Sequence, residues 1–234
     1  LLETVIRNVC YFLNQHPKLD EKDKWDIVVF HGVNNHEFIK SKLPNFNIKY
    51  INMNVENITA DEHNLFLQQL FFWTNLDEKY QNILIFQTDS CMFHCLDKKF
   101  LQYDFVGANI LNPGAKTPKG IGMNGGFSLR KKQSMIDAIK LVNFDIINTY
   151  RRRFGNGSFN PIKILAEDIF FWHALETLEK HFPSKSEIPH FSMETILDYE
   201  FDYNTLKPMG IHGFNKNLLN IEIFKKFFIE AEIP

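Results

Sequence analysis

The sequence predicts a single α/β domain with a mainly parallel central sheet. The apolar, β-branched run Ile83–Phe86 suits a strand that is buried on both faces. Predicted strands and helices alternate through the first half of the chain, as they do in βαβ units. The chain has 234 residues, 44% of them hydrophobic. That length is enough for one such domain and leaves little room for a second.

The elements of the first half follow from hydrophobic periodicity and from the residues that bound each segment. Residues 1–14 place apolar side chains on one side of a helix. Residues 25–30 form a buried apolar strand, and residues 48–53 alternate as a half-buried one. A short helical turn at 38–42 stops ahead of a proline. Residues 61–74 predict a helix, because acidic residues in its first turn suit the helix dipole.

The second half of the chain has a less regular pattern. In chain order it predicts a strand at 105–108, a loop at 112–122, a strand at 126–130, a helix at 134–148, a loop at 151–161, and helices at 166–180 and 217–230. The first predicted element of the chain is a helix, whereas folds of this class usually open with a strand. A further strand upstream of Leu1 is therefore left open.

The composition argues against several classes of protein. The chain has 26 basic and 28 acidic residues and a formal net charge of −2, so no basic surplus predicts a nucleic-acid partner. No apolar run has the length of a membrane span, and no signal peptide is visible. The three cysteines are too few for a disulfide framework. We therefore expect a protein of a reducing compartment, the cytoplasm, and leave its oligomeric state open.

The segment Gln87-Thr88-Asp89-Ser90 directly follows the apolar strand. In open α/β sheets, ligands bind at the carboxyl ends of the strands, so we expect Asp89 to lie at a ligand site. A carboxylate in that position suits Mn²⁺ or Mg²⁺ held against a diphosphate. The alternative is an aspartate that forms a turn and caps the next segment.

A second candidate is the segment Asn124-Gly125-Gly126, which leads into a strand that ends at Arg130. Two adjacent glycines permit unusual backbone dihedrals and the close approach of a ligand. An arginine at the end of the strand is suited to pairing with phosphate oxygens. The alternative is a hairpin turn followed by a solvated arginine.

Two further candidates lie nearer the carboxyl terminus. Glu167 and Asp168 open a predicted helix, where one of them is a candidate general base for an acceptor hydroxyl. The helix dipole alone also explains acidic residues at that place. His212 lies between Gly210 and Gly213 on a permissive backbone, and its imidazole suits Mn²⁺ better than Mg²⁺. The alternative is an ordinary loop histidine.

Taken in order, the motifs QTDS, YDFVGAN, NGGFSLR, AEDIFF and GIHGF resemble the glycosyltransferase-like domains of giant viruses, bacteria and fungi, a domain of unknown function similar to GT-A glycosyltransferases. The resemblance runs from about Leu1 to Phe214. It implies a GT-A type, Rossmann-like fold of three layers for residues 1–234. It also implies a nucleotide-sugar-dependent hexosyltransferase, whose acceptor is a hydroxyl of a glycan, protein or lipid. A viral source would place it in the host cytoplasm or the virion.

The resemblance also implies roles for single residues. Asp89 and His212 would hold Mn²⁺ or Mg²⁺. Asp168, or in second place Glu167, would be the base of an inverting enzyme. The residues implied to line the donor and acceptor are Gln87, Thr88, Ser90, Asn124, Gly125, Gly126 and Arg130. The family often has Asp-x-Asp where this chain has Thr-Asp-Ser, and the missing aspartate puts more weight on His212.

Two other functions remain open at this point. A sugar nucleotidyltransferase has a related sheet, but it typically needs a basic, glycine-rich loop after the first strand, which the sequence lacks. A degenerate GT-A domain would bind a glycan or a nucleotide sugar without catalysis, and the lone aspartate favours that possibility. The presence of Glu167, Asp168 and His212 argues against complete loss of activity.

Overall fold

The computed structural model describes residues 2–109, 122–143, 145–147, 166–194 and 206–213. The predicted loop at 151–161 and the predicted helix at 217–230 lie outside the described residues. The same holds for all but the last residue of the predicted loop at 112–122. No helix in the described part of the chain is both long enough and apolar enough to span a bilayer.

Helices and strands both contribute to the fold, which confirms the α/β class. The helices are α1 (Leu2–Cys10), α2 (His36–Lys42), α3 (Ala60–Leu67), α4 (Leu70–Thr74), α5 (Lys132–Leu141), α6 (Glu167–Thr177) and α7 (Ile188–Phe191). The strands are β1 (Ile27–His31), β2 (Ile48–Asn52), β3 (Asn82–Phe86), β4 (Ser90–Met92), β5 (Phe105–Asn109), β6 (Met123–Lys131), β7 (Ser192–Met193) and β8 (Gly210–His212).

The strands form two sheets. β1 and β2 pair in parallel, as the sequence predicts. The larger sheet has the order β3-β6-β5-β7-β8-β4. Its two longest pairings, β3 with β6 and β5 with β6, are antiparallel, as is β4 with β8. Among the described residues of this larger sheet, only the short pairings of β7 with β5 and β8 are parallel. A mainly parallel central sheet is therefore not seen there.

The direction of β6 accounts for this difference. The sequence predicts β3 as a strand buried on both faces, which is typical of parallel sheets, but all five β3 residues are half-buried and β3 pairs antiparallel with β6. Helices α5 and α6 contact β6, so its side chains are buried although its neighbours run the other way. The apolar pattern reports burial and contains no information on strand direction.

Strand β1 of the smaller sheet and strand β3 of the larger sheet face a common cavity of about 320 Å³. At their amino ends the Tyr80 hydroxyl donates a 2.8 Å hydrogen bond to Asp26 Oδ2. β3 therefore starts at the same end as β1, and its carboxyl end leads to the segment that contains Asp89.

The predicted helix at 61–74 is two helices, α3 and α4, in the structure. Thr59 caps α3 through a capping box with Glu62, whose backbone N–H donates to Thr59 Oγ1 at 3.2 Å. The chain turns at Gln69, and this turn buries Trp73 completely. The indole N–H of Trp73 donates to the carbonyl of Leu67 at 2.8 Å, so the break between the helices costs no unpaired indole.

Helix α6 is buried on nearly every side. Nine of its eleven residues are buried, and these include the two carboxylates of its first turn. The ring of Phe171 packs edge to face against Trp73, with centroids 5.6 Å apart. A helix enclosed in this way presents Glu167 and Asp168 to the protein interior, where every charge needs a partner or a shifted pKa.

Candidate functional site

The turn after β3 is attached to the glycines of β6. The backbone N–H of Gln87 donates to the Gly126 carbonyl at 2.8 Å, and Ser90 Oγ donates to the same carbonyl at 3.1 Å. The Ser90 N–H closes the turn on the Gln87 carbonyl at 3.0 Å. Ser90 is thus a buried anchor of the turn, whereas the exposed Thr88 lies at its tip.

Pairing of β4 with β8 brings His212 to Asp89. Ser90 is the register partner of His212 in this antiparallel pair. His212 Nε2 lies 3.3 Å from Asp89 Oδ1 and 3.2 Å from Gln87 Oε1. His212 is buried, and the side chain of Asp89 is 25% exposed. The two residues that the sequence predicts as metal ligands are therefore neighbours.

Gly126 makes room for this histidine. A Cβ atom at Gly126 would overlap the His212 imidazole and would come within 2.8 Å of Gln87 Oε1. The sequence predicts that this glycine lets a ligand approach the backbone. In the structure the same space holds the His212 side chain.

Gly125 makes room for a buried ion pair. A Cβ atom there would overlap the Glu167 carboxylate and would lie 2.5 Å from Arg130 Nη2. Arg130 donates to Glu167 Oε2 from Nη1 at 2.6 Å and to Oε1 from Nη2 at 2.9 Å. The guanidinium carbon lies 4.7 Å from the ring centroid of Phe105. Arg130 is completely buried, so its cationic group is engaged inside the protein.

The two carboxylates of α6 consequently differ. Arg130 neutralises Glu167, whereas among the described residues Asp168 accepts hydrogen bonds from backbone groups alone, from Gly125 N–H at 3.1 Å and from Ile169 N–H at 2.7 Å. Burial, and then the charge of Glu167, raise the pKa of Asp168 from its ordinary 3.8 to about 6. A carboxylate with a pKa in that range is suited to accepting a proton at neutral pH.

Asn124 and Glu194 also lie near His212. Asn124 Oδ1 accepts from the Gly126 N–H at 2.6 Å, and its Nδ2 donates to Glu194 Oε1 at 3.4 Å. The same Glu194 oxygen lies 3.8 Å from His212 Nδ1. Because Gln87 Oε1 and Asp89 Oδ1 are both acceptors, the two contacts of Nε2 fit an imidazole proton on that nitrogen.

Sequence reasoning does not find Glu194. It follows β7 directly and belongs to no recognisable motif. The signal that places it is the parallel pairing of β7 with β8, in which Met193 is the register partner of Ile211. That pairing connects two short strands and is not visible in the sequence pattern.

An open cleft of about 680 Å³ lies beside Asp89. Gln87, Thr88 and Asp89 form one wall, and the first turns of α3 form another. Ser90 and Arg130 are buried and are not among the residues that line this cleft. The predicted ligand-binding residues thus divide into those that face the cleft and those that support the residues facing it.

The donor atoms near Asp89 suit a metal with two protein ligands. Within the described ranges, no three or more His, Cys, Asp or Glu residues are grouped as a metal site. Asp89 Oδ1 and His212 Nε2 are close enough to share one ion, and Mn²⁺ accepts both carboxylate and imidazole ligands. Metal binding stays a prediction.

A model of the family described as protein of unknown function (DUF5672) matches residues 45–212. The match covers more than two thirds of the 234 residues. The chain belongs to the DUF5672 family. The matched region extends from just before β2 to His212, so it contains every site residue named above. No curated protein matches the chain.

Proposed function

We propose that the protein is a metal-dependent, inverting glycosyltransferase with a GT-A type fold. It would transfer a sugar from a nucleotide-diphosphate sugar to an acceptor hydroxyl. One observation carries the proposal. Asp89 and His212 lie 3.3 Å apart beside Gly126, and the backbone N–H of the adjacent Gly125 donates a hydrogen bond to Asp168. The candidate metal site and the candidate base therefore lie beside two adjacent residues of β6.

The resemblance of the motifs to glycosyltransferase-like domains sets the reaction class of this proposal. The parallel pair β1–β2, which lies beside β3, supports the fold that the resemblance implies. Asp89 follows the carboxyl end of β3, which is where ligands bind in the open α/β sheets that the resemblance implies.

Asp89 and His212 are the residues that would hold Mn²⁺ or Mg²⁺. Two protein ligands leave further coordination positions for phosphate oxygens and water, as is usual for these ions. A bound ion would offset the charge that develops on the departing nucleoside diphosphate. The Glu194 charge near Nδ1 would favour the tautomer with its proton on that nitrogen once a metal ion takes the place of the proton at Nε2.

Asp168 is the proposed base. The acceptor oxygen forms a bond to the anomeric carbon while its proton passes to the Asp168 carboxylate. The bond from that carbon to the diphosphate breaks, and the leaving group takes the electron pair. Attack from the face opposite the leaving group inverts the anomeric centre. With a pKa near 6, Asp168 is largely ionised at pH 7 and remains basic enough to accept the proton.

Glu167 and Arg130 are proposed as positioning residues. Their bidentate ion pair holds the first turn of α6 against β6, and this would orient the Asp168 side chain. The Glu167 charge also helps to raise the pKa of Asp168. The second-choice base from the sequence is thus assigned a supporting role.

A donor screen tests the metal assignment. We expect one or more nucleoside diphosphates to bind more tightly with Mn²⁺ than with EDTA, and Asp89→Ala to abolish that enhancement while leaving metal-free binding unchanged. Isothermal titration calorimetry of wild type, Asp89→Ala and the exposed control Asp20→Ala measures it. Equal affinity with and without metal in the wild type would contradict the metal assignment.

Turnover of Asp168→Asn tests the base. We expect this variant to bind the donor normally and to lose transfer by roughly 10²- to 10⁴-fold, the usual contribution of a general base. The matched control Asp20→Asn, an exposed aspartate, should transfer at the wild-type rate. Near-normal turnover of Asp168→Asn would exclude the assignment. Donor binding by the wild type without any hydrolysis or transfer would favour a non-catalytic GT-A domain.

A further inference from the structure

His63, on α3, lies in the cleft opposite the turn that contains Asp89. It lines the cleft together with Thr88 and Asp89, and it also lines the cavity between β1 and β3. The residue is half-buried, and its backbone is fixed by the capped first turn of α3. Its imidazole makes no hydrogen bond or ion pair with another residue in the described ranges, so its ring nitrogens are available to a ligand.

The charge of the cleft lining singles out this histidine. Of the described residues that line the cleft, His63 and Asp89 are those with ionisable side chains, and His63 alone is able to carry a positive charge. The charges of Glu167 and Arg130 also act on His63, but both groups are buried and paired with each other. Among the described residues that line the cleft, His63 is therefore the one basic side chain that an anionic ligand beside Asp89 can contact.

The remaining lining fits the rest of such a ligand. Ile58 and Phe86 supply apolar surface beside the polar groups of Gln87 and Thr88. A phosphate needs donors and positive charge, whereas a flat ring system needs apolar contact. A nucleoside diphosphate contains both kinds of group.

We propose that His63 is a binding residue of the cleft, whose imidazole donates a hydrogen bond to the diphosphate of a bound nucleoside diphosphate. The inference rests on the proposed function, which assigns the same ligand to Asp89 and His212, and adds a contact from the opposite wall. Burial lowers the pKa of His63, so the imidazole offers one N–H donor at neutral pH.

Binding of a nucleoside and of its diphosphate distinguishes a phosphate contact from a structural role. We expect His63→Ala to weaken binding of UDP, GDP, ADP or CDP, whichever the wild type binds, by about ten-fold or more, the effect of one hydrogen bond to a charged group. The loss should be present with Mg²⁺ and with EDTA, unlike that of Asp89→Ala. Affinity for the corresponding nucleoside should stay unchanged, as should both affinities in the exposed control His190→Ala.

An equal loss for nucleoside and diphosphate, or no loss for either, would overturn the assignment of His63 and leave the proposed function intact. If the wild type binds none of the four diphosphates, the proposed function fails, and this inference fails with it.

A measurement on the wild type covers the case in which His63→Ala does not fold. Diethylpyrocarbonate modifies accessible neutral imidazoles, and mass spectrometry of the peptides locates each modified histidine. We expect the saturating diphosphate with Mg²⁺ to protect His63 and to leave His190 reactive. Equal modification of His63 with and without the diphosphate would overturn the proposal.

Discussion

Gly125 and Gly126 are adjacent in β6, but the side chains beside them lie in opposite kinds of environment. On the Gly125 side, Arg130 and Glu167 are buried, and each charge is satisfied within the protein. On the Gly126 side, His212 meets Asp89, whose side chain is 25% exposed to the cleft. A rigid, paired side and an open side with spare ligand positions suit different tasks. We propose that the first orients the base Asp168 and that the second receives the ligand.

Removing the cation should have the largest effect on stability. Arg130→Met leaves the Glu167 carboxylate buried without its partner, and we expect the free energy of unfolding to fall by about 3–5 kcal/mol. Urea denaturation measures this change. The double variant Arg130→Met/Glu167→Met should recover most of the loss, because no buried charge is left.

The control for this prediction is an exposed ion pair. Lys24 lies 2.6 Å from Glu21 at the surface, and Lys24→Met should change the free energy of unfolding by about 1 kcal/mol or less. If Arg130→Met costs no more than Lys24→Met, the contrast between the buried side and the open side fails.

The pH dependence of stability should reveal Asp168. Its pKa is about 6 in the folded protein against an ordinary 3.8, so between these values the folded state holds a proton that the unfolded state has released. Stability therefore falls as the pH rises through this window, by about 3 kcal/mol in total, and then levels off. Asp168→Asn removes this titration, so the variant should match the wild type near pH 4 and exceed it above pH 6.

Urea denaturation at pH 4, 5 and 6.5 checks that prediction, with Asp20→Asn as an exposed control. If the free energies of unfolding of wild type and Asp168→Asn differ by the same amount at all three pH values, Asp168 is not a buried carboxyl with a raised pKa.

Alanine substitutions at Gly125 and at Gly126 should affect different properties of the protein. Gly125→Ala intrudes on the Arg130–Glu167 pair, and we expect it to lower the free energy of unfolding by about 1–3 kcal/mol. Gly126→Ala intrudes on His212 and Gln87 instead, and we expect it to abolish the metal enhancement of diphosphate binding. Denaturation and calorimetry on both variants measure the two effects. The same pattern of losses in both variants would remove the distinction.

Local features of the site are visible in the sequence, and contacts between distant segments are not. The strand before Asp89 and the acidic start of α6 follow from apolar runs and from the helix dipole, which depend on neighbouring residues. The choice between Glu167 and Asp168 depends on Arg130, which comes from another strand. The role that we propose for His63 also depends on packing, because α3 faces the cleft only in the folded chain.

The sequence by itself determined the α/β class, most strands and helices of the described residues, and the short list of polar residues from which the candidate site is built. Only the tertiary structure decided that β6 runs antiparallel to its neighbours, that β8 carries His212 to Asp89, and that Arg130 is buried against Glu167. The reason is physical. Hydrophobic periodicity and helix capping depend on residues that are close together in the sequence. Strand pairing and ion pairing join segments that are far apart in the sequence, so neither produces a recognisable sequence pattern.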